Sequence, residues 1–385
     1  MKHILVVPGF CESFDSANTK CVDELIKALK KKKTEVVITG KTLEKTQATK
    51  NWKKNPKFML KKILQWPVID PDASKRCWDM IEYEVSQHSY DTIIVSHMPY
   101  DAVLAAIHVK KKHPELCLIL YELDPITYEI DKKRNSLGRY LYFLRVLAEK
   151  KTYDMCDYII HMECNRAKFS HRKYAKYSPK SIFLDFPLIH DLGVIPQKGK
   201  QYNNQKVRFI YAGKLMNSFR SPDYLLQVIV KLNDMIKSDI FFFSSGDCES
   251  KLERYSEQYG FIHQMGYVDS KTLNSAIEAC DCLINIGNKY SDMLPSKLLT
   301  YIETGKMILH VKNQTNDSCL KYLDHYNLAL IIDENDSVEK SAIKIVDFIE
   351  NNYQKRLGST AILSEYVQNT PEFSAEKILE LTEKG

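Results

Sequence analysis

Short apolar runs recur along the chain, each bounded by turn-forming residues. The first, residues 4–7, ends at Pro8-Gly9. A helical pattern follows through Val22, Leu25, Ile26 and Leu29, and then a strand-like run at 35–39. Strand, loop, helix, strand is the opening of a doubly wound sheet. The alternation continues with a strand at 92–95, a helix around 102–109, a strand at 116–121, a helix near 140–148 and a strand at 158–161. Consecutive apolar positions in these runs predict parallel strands covered on both faces.

Residues 194–205 (VIPQKGKQYNNQ) lack periodicity and are rich in Gln, Asn, Gly and Lys, as expected of a linker. A second series follows, with strands predicted at 207–212, 240–243, 282–286, 307–311 and 328–332 and helices at 224–236 and 271–279. The fold class expected is therefore α/β, two doubly wound Rossmann-like domains facing a cleft, with ligands at the carboxyl ends of the strands. The expected boundaries are 1–195 for the first domain and 206–350 for the second. A helical segment at 351–385 would pack back on the first domain.

Composition narrows this picture little. With 44% hydrophobic and 27% charged residues and only 13 Gly and 13 Pro in 385, collagen-like, mucin-like and wholly disordered readings are excluded. The ten cysteines include no C-x-x-C pair and several lie in apolar runs, which suits buried free thiols in a reducing compartment. The N-terminal apolar run is too short for a signal-peptide core, and no window holds the roughly 20 apolar residues of a spanning helix. A cytoplasmic protein is expected. The net charge of +6 is unevenly spread, with 35 Lys/Arg against 24 Asp/Glu in residues 1–200 and 20 against 25 in the remainder. A basic half suits a polyanion or an anionic membrane, although surplus lysine also serves solubility.

The segment 287–305 (GNKYSDMLPSKLLTYIETG) lies between two predicted strands. Pro295 and Ser296 suit a helix start, which puts Lys297 in the first turn, where exposed N–H groups already favour an anion. The alternative is a solvated lysine on an ordinary helix. After the first strand of the second domain, Gly213 permits close backbone approach and Arg220 precedes Ser221-Pro222, a second helix start. An arginine there can hold a diphosphate through paired hydrogen bonds.

Together, YAGKLMNSFRSP, FFFSSGD, HQMGYVDSKTLNSAIEACDCLINIGN and LPSKLLTYIETGKMIL resemble, in order and spacing, the nucleotide-sugar-binding half of family 4-like GT-B glycosyltransferases, which build capsular and other surface polysaccharides. The resemblance implies that Arg220 and Lys297 hold the donor diphosphate and that Gly213, Gly246, Tyr267, Val268, Ser296 and Thr300 also line the donor site. The first domain matches more faintly, through DTIIVSHMP, ILYELDPIT and CDYIIHMECN. It implies an acceptor side formed by Pro8, Gly9, Glu122 and Asp124, with His97 at the reaction centre; a strand-end histidine and an Asp-Pro turn are the structural alternatives. Many members carry two glutamates eight positions apart around Pro-Ser-Lys, and here those positions read Asp292 and Thr300. Asp292 keeps a carboxylate and counts with His97 as a candidate catalytic residue. Thr300 offers a hydroxyl where a ribose-gripping carboxylate is expected, unless Glu303 substitutes.

The resemblance implies transfer from a UDP- or GDP-linked sugar to a glycan or lipid-linked acceptor, with retention of configuration and without cofactor or metal ion. A non-catalytic partner of an active transferase is the alternative raised by Thr300, and an epimerase on the same two-domain plan is a third. Within the stretch from Lys41 to Trp66 there are eight lysines against the single acid Glu44, interleaved with Trp52, Phe58 and other apolar residues. Such a segment suits a bilayer interface, so peripheral attachment to the inner face of a membrane is expected, whereas no nucleic-acid module surrounds it.

Overall fold

The computed structural model describes residues 3–8, 17–32, 35–39, 71–97, 100–127, 136–291 and 293–383. Gly9, Asp292 and the stretch 41–66 lie outside the described residues. The chain divides into two compact units, Met1–Leu188 with Gln368–Gly385, and Ile189–Val367.

The first unit contains strands β1 (His3–Val7), β2 (Glu35–Ile38), β3 (Thr92–Ser96), β4 (Cys117–Glu122), β5 (Tyr158–Met162) and β6 (Ser181–Leu184). Its longer helices among the described residues include α1 (Ala17–Lys31), α2 (Pro71–Gln87), α3 (Tyr100–Lys112) and α4 (Ser136–Met155). The strands form one parallel sheet in the order β2-β1-β3-β4-β5-β6. All five residues of β3 are buried, as the unbroken apolar run requires.

The second unit opens with β7 (Gln197–Lys198), then β8 (Val207–Leu215), β9 (Ser238–Gly246), β10 (Ile262–Gln264), β11 (Cys282–Ile286), β12 (Met307–Lys312), β13 (Ala329–Asp333) and β14 (Lys355–Arg356). Its helices are α5 (Asp223–Asn233), α6 (Glu249–Gln258), α7 (Ser270–Ala279), α8 (Lys297–Glu303), α9 (Val338–Asn352) and α10 (Ser359–Glu365). The main sheet is parallel, in the order β10-β9-β8-β11-β12-β13. Helix α5 buries Leu225, Leu226, Val228, Ile229 and Leu232, a stripe of helical period set against Phe209, Tyr211 and Phe242 of the sheet. Both units are thus Rossmann-like parallel-sheet α/β domains.

The polar stretch 194–205 is fastened into the second unit. Strand β7 pairs antiparallel with β14, the Lys200 amide donates to the Tyr353 carbonyl at 2.9 Å, and Val194 and Ser359 exchange two hydrogen bonds. The final helix, α11 (Pro371–Thr382), lies against α1 in the first unit. Lys31 and Lys32 pair with Glu372 and Glu376 at 3.1 and 3.5 Å. Such exposed pairs contribute at most about 1 kcal/mol each, so burial of Ala375 and Ile378 does most to hold the helix. No helix among the described residues is long and apolar enough to cross a membrane.

The β8–β9 ladder runs in register from Val207↔Ser238 to Leu215↔Gly246, continuing past Gly213 instead of ending there. Gly246 has φ +133°, and a Cβ on it would lie 1.8 Å from the Leu215 carbonyl oxygen. Its glycine requirement is thus met within the ladder, without reference to a ligand. Gly246→Ala should destabilise the second unit by on the order of 3 kcal/mol, read as a lowered calorimetric transition. A shift equivalent to less than about 0.5 kcal/mol would refute this account of the ladder.

Candidate functional site

In the second sheet the winding reverses between β8 and β11, and the loops after those strands meet there. Residues 216–220 form a tight turn, with the Met216 amide donating to the Arg220 carbonyl at 3.0 Å and the Arg220 amide returning to Met216 at 2.8 Å. This turn delivers Arg220 to the loop after β11. Arg220 Nε and Nη2 donate to Asn288 Oδ1 at 3.0 and 2.7 Å, and Nη1 reaches the Lys214 carbonyl at 3.3 Å. Both acceptors are neutral, and among the described residues no carboxylate pairs with this guanidinium. The side chain is held in place while its charge stays available to an anion.

Asn288 is only 2% exposed and is itself fixed. Its amide donates to the Met293 carbonyl at 2.8 Å, and Gln314 donates to its carbonyl at 2.7 Å. The loop after β12 braces this arrangement at two more points, Asn313 to the Gly287 carbonyl at 2.6 Å and Ser318 to the Met293 carbonyl at 3.0 Å. Beneath lies a buried polar group. His310 Nε2 meets Asp317 Oδ2 at 3.0 Å, and Asn285 donates to His310 Nδ1 at 2.9 Å and to the Cys319 sulfur at 3.4 Å. An acceptor role for Nδ1 leaves the proton on Nε2, directed at the carboxylate. Burial pushes the Asp317 carboxyl up, but the hydrogen bond from His310 outweighs it and holds the group below its ordinary value. Burial pushes the Cys319 thiol well up. His310, Asp317 and Cys319 have ligand atoms within 4.8 Å of one another, close enough for a metal ion. Their hydrogen bonds already close on each other, which fits a brace better than a coordination site. Gly287 packs on this brace, since a Cβ there would lie 1.9 Å from Asp317 Oδ2.

Lys297 is the first residue of α8 and is half-buried. Ser296 precedes it in helical geometry, with its hydroxyl making no cap, and the Leu298 amide donates to the Pro295 carbonyl at 2.9 Å. Tyr301 on the buried face of α8 bonds both backbone groups of Ala212, accepting from the amide at 2.8 Å and donating to the carbonyl at 3.3 Å. That pair ties the helix to the strand carrying Gly213. Thr300 is half-buried on the same helix. Glu303 is buried at its end and accepts from the His190 amide and Nδ1 at 3.3 and 3.1 Å, which commits it to the fold and removes it as a substitute for the missing carboxylate. Gly266, at φ +68°, turns the chain after β10 so that Tyr267 stands 77% exposed beside half-buried Val268.

In the first unit, buried Pro8 ends β1 and His97 follows β3, adjacent strands at that sheet's own reversal. His97 Nδ1 lies 3.0 Å from the Asp124 carbonyl, which only accepts, so the Nδ1 proton is fixed and Nε2 carries the lone pair. Asp124 is half-buried and accepts from Asn18 at 2.6 Å. Glu122, expected on the acceptor side, lies in the interior of the unit. It is 1% exposed, takes the Tyr153 hydroxyl on both oxygens at 2.8 and 2.9 Å, and takes His161 Nδ1 at 2.7 Å. Burial raises its pKa, yet His161 outweighs that and keeps the carboxyl below the usual range. A second buried carboxylate, Glu149, accepts from Thr127 at 2.9 Å, Lys168 at 3.0 Å and the Tyr174 hydroxyl.

Burial also lowers the His97 pKa, partly opposed by the charges of Glu122 and Asp124. A depressed folded value means stability present above the unfolded pKa of about 6.5 and lost as pH falls below it. Wild type should therefore lose stability between pH 7 and 5 more steeply than His97→Gln in denaturant titrations. Equal slopes would overturn the burial argument.

No family model matches the chain, and no curated protein matches it in sequence. Solved structures do match its fold. UDP-GlcNAc 2-epimerase from Methanocaldococcus jannaschii is 12% identical with a TM-score of 0.56, covering 100% of both chains. The lipopolysaccharide outer core galactosyltransferase WaaB is 10% identical with a TM-score of 0.54, again covering 100% of both. A substituted S. aureus TarM in complex with UDP is 14% identical with a TM-score of 0.52, covering 80% of this chain and 59% of its own. At such identities the likeness establishes the fold, which is GT-B-like.

Proposed function

We propose that the protein is a glycosyltransferase moving a sugar from a UDP- or GDP-linked donor to a glycan or lipid-linked acceptor in surface-polysaccharide synthesis. The observation that carries the reading is Arg220, oriented by the amide oxygen of Asn288 at the β8/β11 reversal without being neutralised. As the glycosidic bond breaks, negative charge grows on the leaving diphosphate. A fixed guanidinium stabilises that charge without reorganising, and Lys297 on the first turn of α8 adds an ammonium, so no divalent cation is required. Tyr267 offers an exposed ring for stacking on the base. His97, neutral with Nε2 as acceptor, and Asp292 are the proposed catalytic residues, and the resemblance to family 4-like enzymes suggests retention of configuration. Peripheral attachment at the inner face of a membrane through Lys41 to Trp66 belongs to the same reading.

The epimerase among the fold neighbours supports a second reading, in which the sugar is isomerised without an acceptor. Thr300, in place of a ribose-gripping carboxylate, motivates a third, a non-catalytic partner of an active transferase.

Arg220→Ala should weaken UDP or GDP binding by roughly 10- to 100-fold in calorimetry, the span expected for a hydrogen-bonded charge contact. Asn288→Ala should weaken it less, through loss of orientation alone. A product screen with nucleotide sugars separates the readings: transfer supports the first, isomerised sugar the second. Neither binding nor turnover of any nucleotide sugar would defeat both enzymatic readings.

A further inference from the structure

The two faces of the second sheet are filled unequally. Helix α5 packs Leu225, Ile229 and Leu232 into the core formed with Phe209 and Phe242. Side chains alternate along a strand, so Ile210, Phe241 and Phe243 belong to the other face. Helix α7 buries Leu273 and Ile277, but beside the two phenylalanines it sets Ala276 and Ala279, whose single methyl groups leave the space between unfilled. The result is a cavity of about 300 Å³, bordered by partly exposed Met265. Protein interiors rarely keep a gap larger than a water molecule, whose share of the liquid is about 30 Å³. This one has room for a guest of roughly ten to fifteen non-hydrogen atoms.

Its walls are mostly apolar, and their geometry is set. The Phe241 ring stacks on His263 with centroids 4.6 Å apart and planes 18° from parallel, and His263 Nε2 lies 3.1 Å from Asp239. Met265 adds a polarisable sulfur, which packs well against aromatic rings. Such walls suit a flat aromatic body.

One end carries charge. Arg208 and Asp239 stand in register near the start of β8 and β9, on the same face as Phe241 and Phe243. Asp239 is engaged by Lys206 at 2.7 Å as well as by His263. Asp281 Oδ2 is spent on the Arg208 backbone amide at 2.9 Å. The exposed Arg208 guanidinium itself makes no hydrogen bond or ion pair among the described residues. An apolar cavity with an unpaired cation at its end is complementary to an amphipathic anion. The cavity runs up the sheet face from the amino end of the strands, whereas Arg220 and Asn288 stand in loops past the carboxyl ends.

We propose that this cavity is a second ligand site, for a small aromatic carboxylate whose ring lies against Phe241, Phe243 and Met265 and whose anion meets Arg208. The site goes beyond the glycosyltransferase reading and does not depend on it.

The test follows the methionine methyl resonances of the isotope-labelled full chain by NMR during titration with phenylpropionate, phenylpropanol and phenylpropylamine, which share a ring and differ in charge. Met265→Leu identifies the reporter peak. The acid should shift that peak saturably, with the alcohol at least about fivefold weaker and the amine weaker still. Ala276→Leu/Ala279→Leu, which fills the cavity from the helix, should weaken the acid at least about tenfold with an unchanged circular dichroism melt. Arg208→Gln, at an exposed position, should reduce the acid to the affinity of the alcohol, and it decides the question should the leucine variant melt early. The proposal is overturned if the acid leaves the Met265 peak unmoved, if the alcohol or amine binds as tightly as the acid, or if the folded leucine variant binds the acid undiminished. Displacement of the acid by UDP would put the probe in the donor site and overturn the proposal equally.

Discussion

The arrangement in the second unit depends on a positive charge held by a neutral oxygen. Had Arg220 been fixed by a carboxylate, the pair would be well oriented and electrically spent. An amide oxygen gives up some strength per hydrogen bond and leaves the field of the guanidinium intact. The cost moves to Asn288, which must be buried and fixed on both ends of its side chain and backbone, hence the contacts to Met293 and Gln314. Those in turn require a rigid loop after β12, and the His310–Asp317–Asn285–Cys319 group supplies it from inside the core. Each layer restricts the one above it, as expected where a site must be preorganised.

The first unit solves a related problem with tyrosine. Two carboxylates, Glu122 and Glu149, sit in its interior, and each receives a phenolic hydroxyl, from Tyr153 and Tyr174. Burial pushes both phenols up, so they remain donors across any working pH. Lys168 also grips the Thr127 carbonyl at 2.6 Å, which fixes the loop that presents Asp124 and, through its carbonyl, His97. Buried polar residues in this unit thus set the tautomer of a histidine several residues away.

Much of this was legible in the sequence, and what was not has physical causes. Unbroken apolar runs announced β1, β3, β4, β8, β11 and β12, because central parallel strands are buried on both faces. Strands β6 and β10 escaped notice; each is a sheet edge of four or three residues, paired on one side only, so little apolar signal is required of it. Helix starts at Pro222 and Ser296 were readable from Pro and Ser, which put Arg220 and Lys297 near the right elements. Asn288 was not readable, since an asparagine after a glycine reads as a turn and its burial arises from a distant loop. The partners of Glu122 were unreadable for a similar reason: Tyr153 and His161 reach it from far along the chain.

The ribbon of β7 and β14 carries a consequence for how the polypeptide is organised. It lays the entry of the second unit beside its exit, with Val194 bonded to Ser359 and Gln197 paired with Arg356. The second unit is one unbroken stretch, whereas the first is assembled from both ends of the chain. Topologically, one domain is an insertion in the other. Its neighbouring ends allow residues 189–367 to close as an independent fold, while the first unit needs α11, which follows the second unit in the chain, to cover α1. On the ribosome, then, the domain begun second is the one whose chain is complete first.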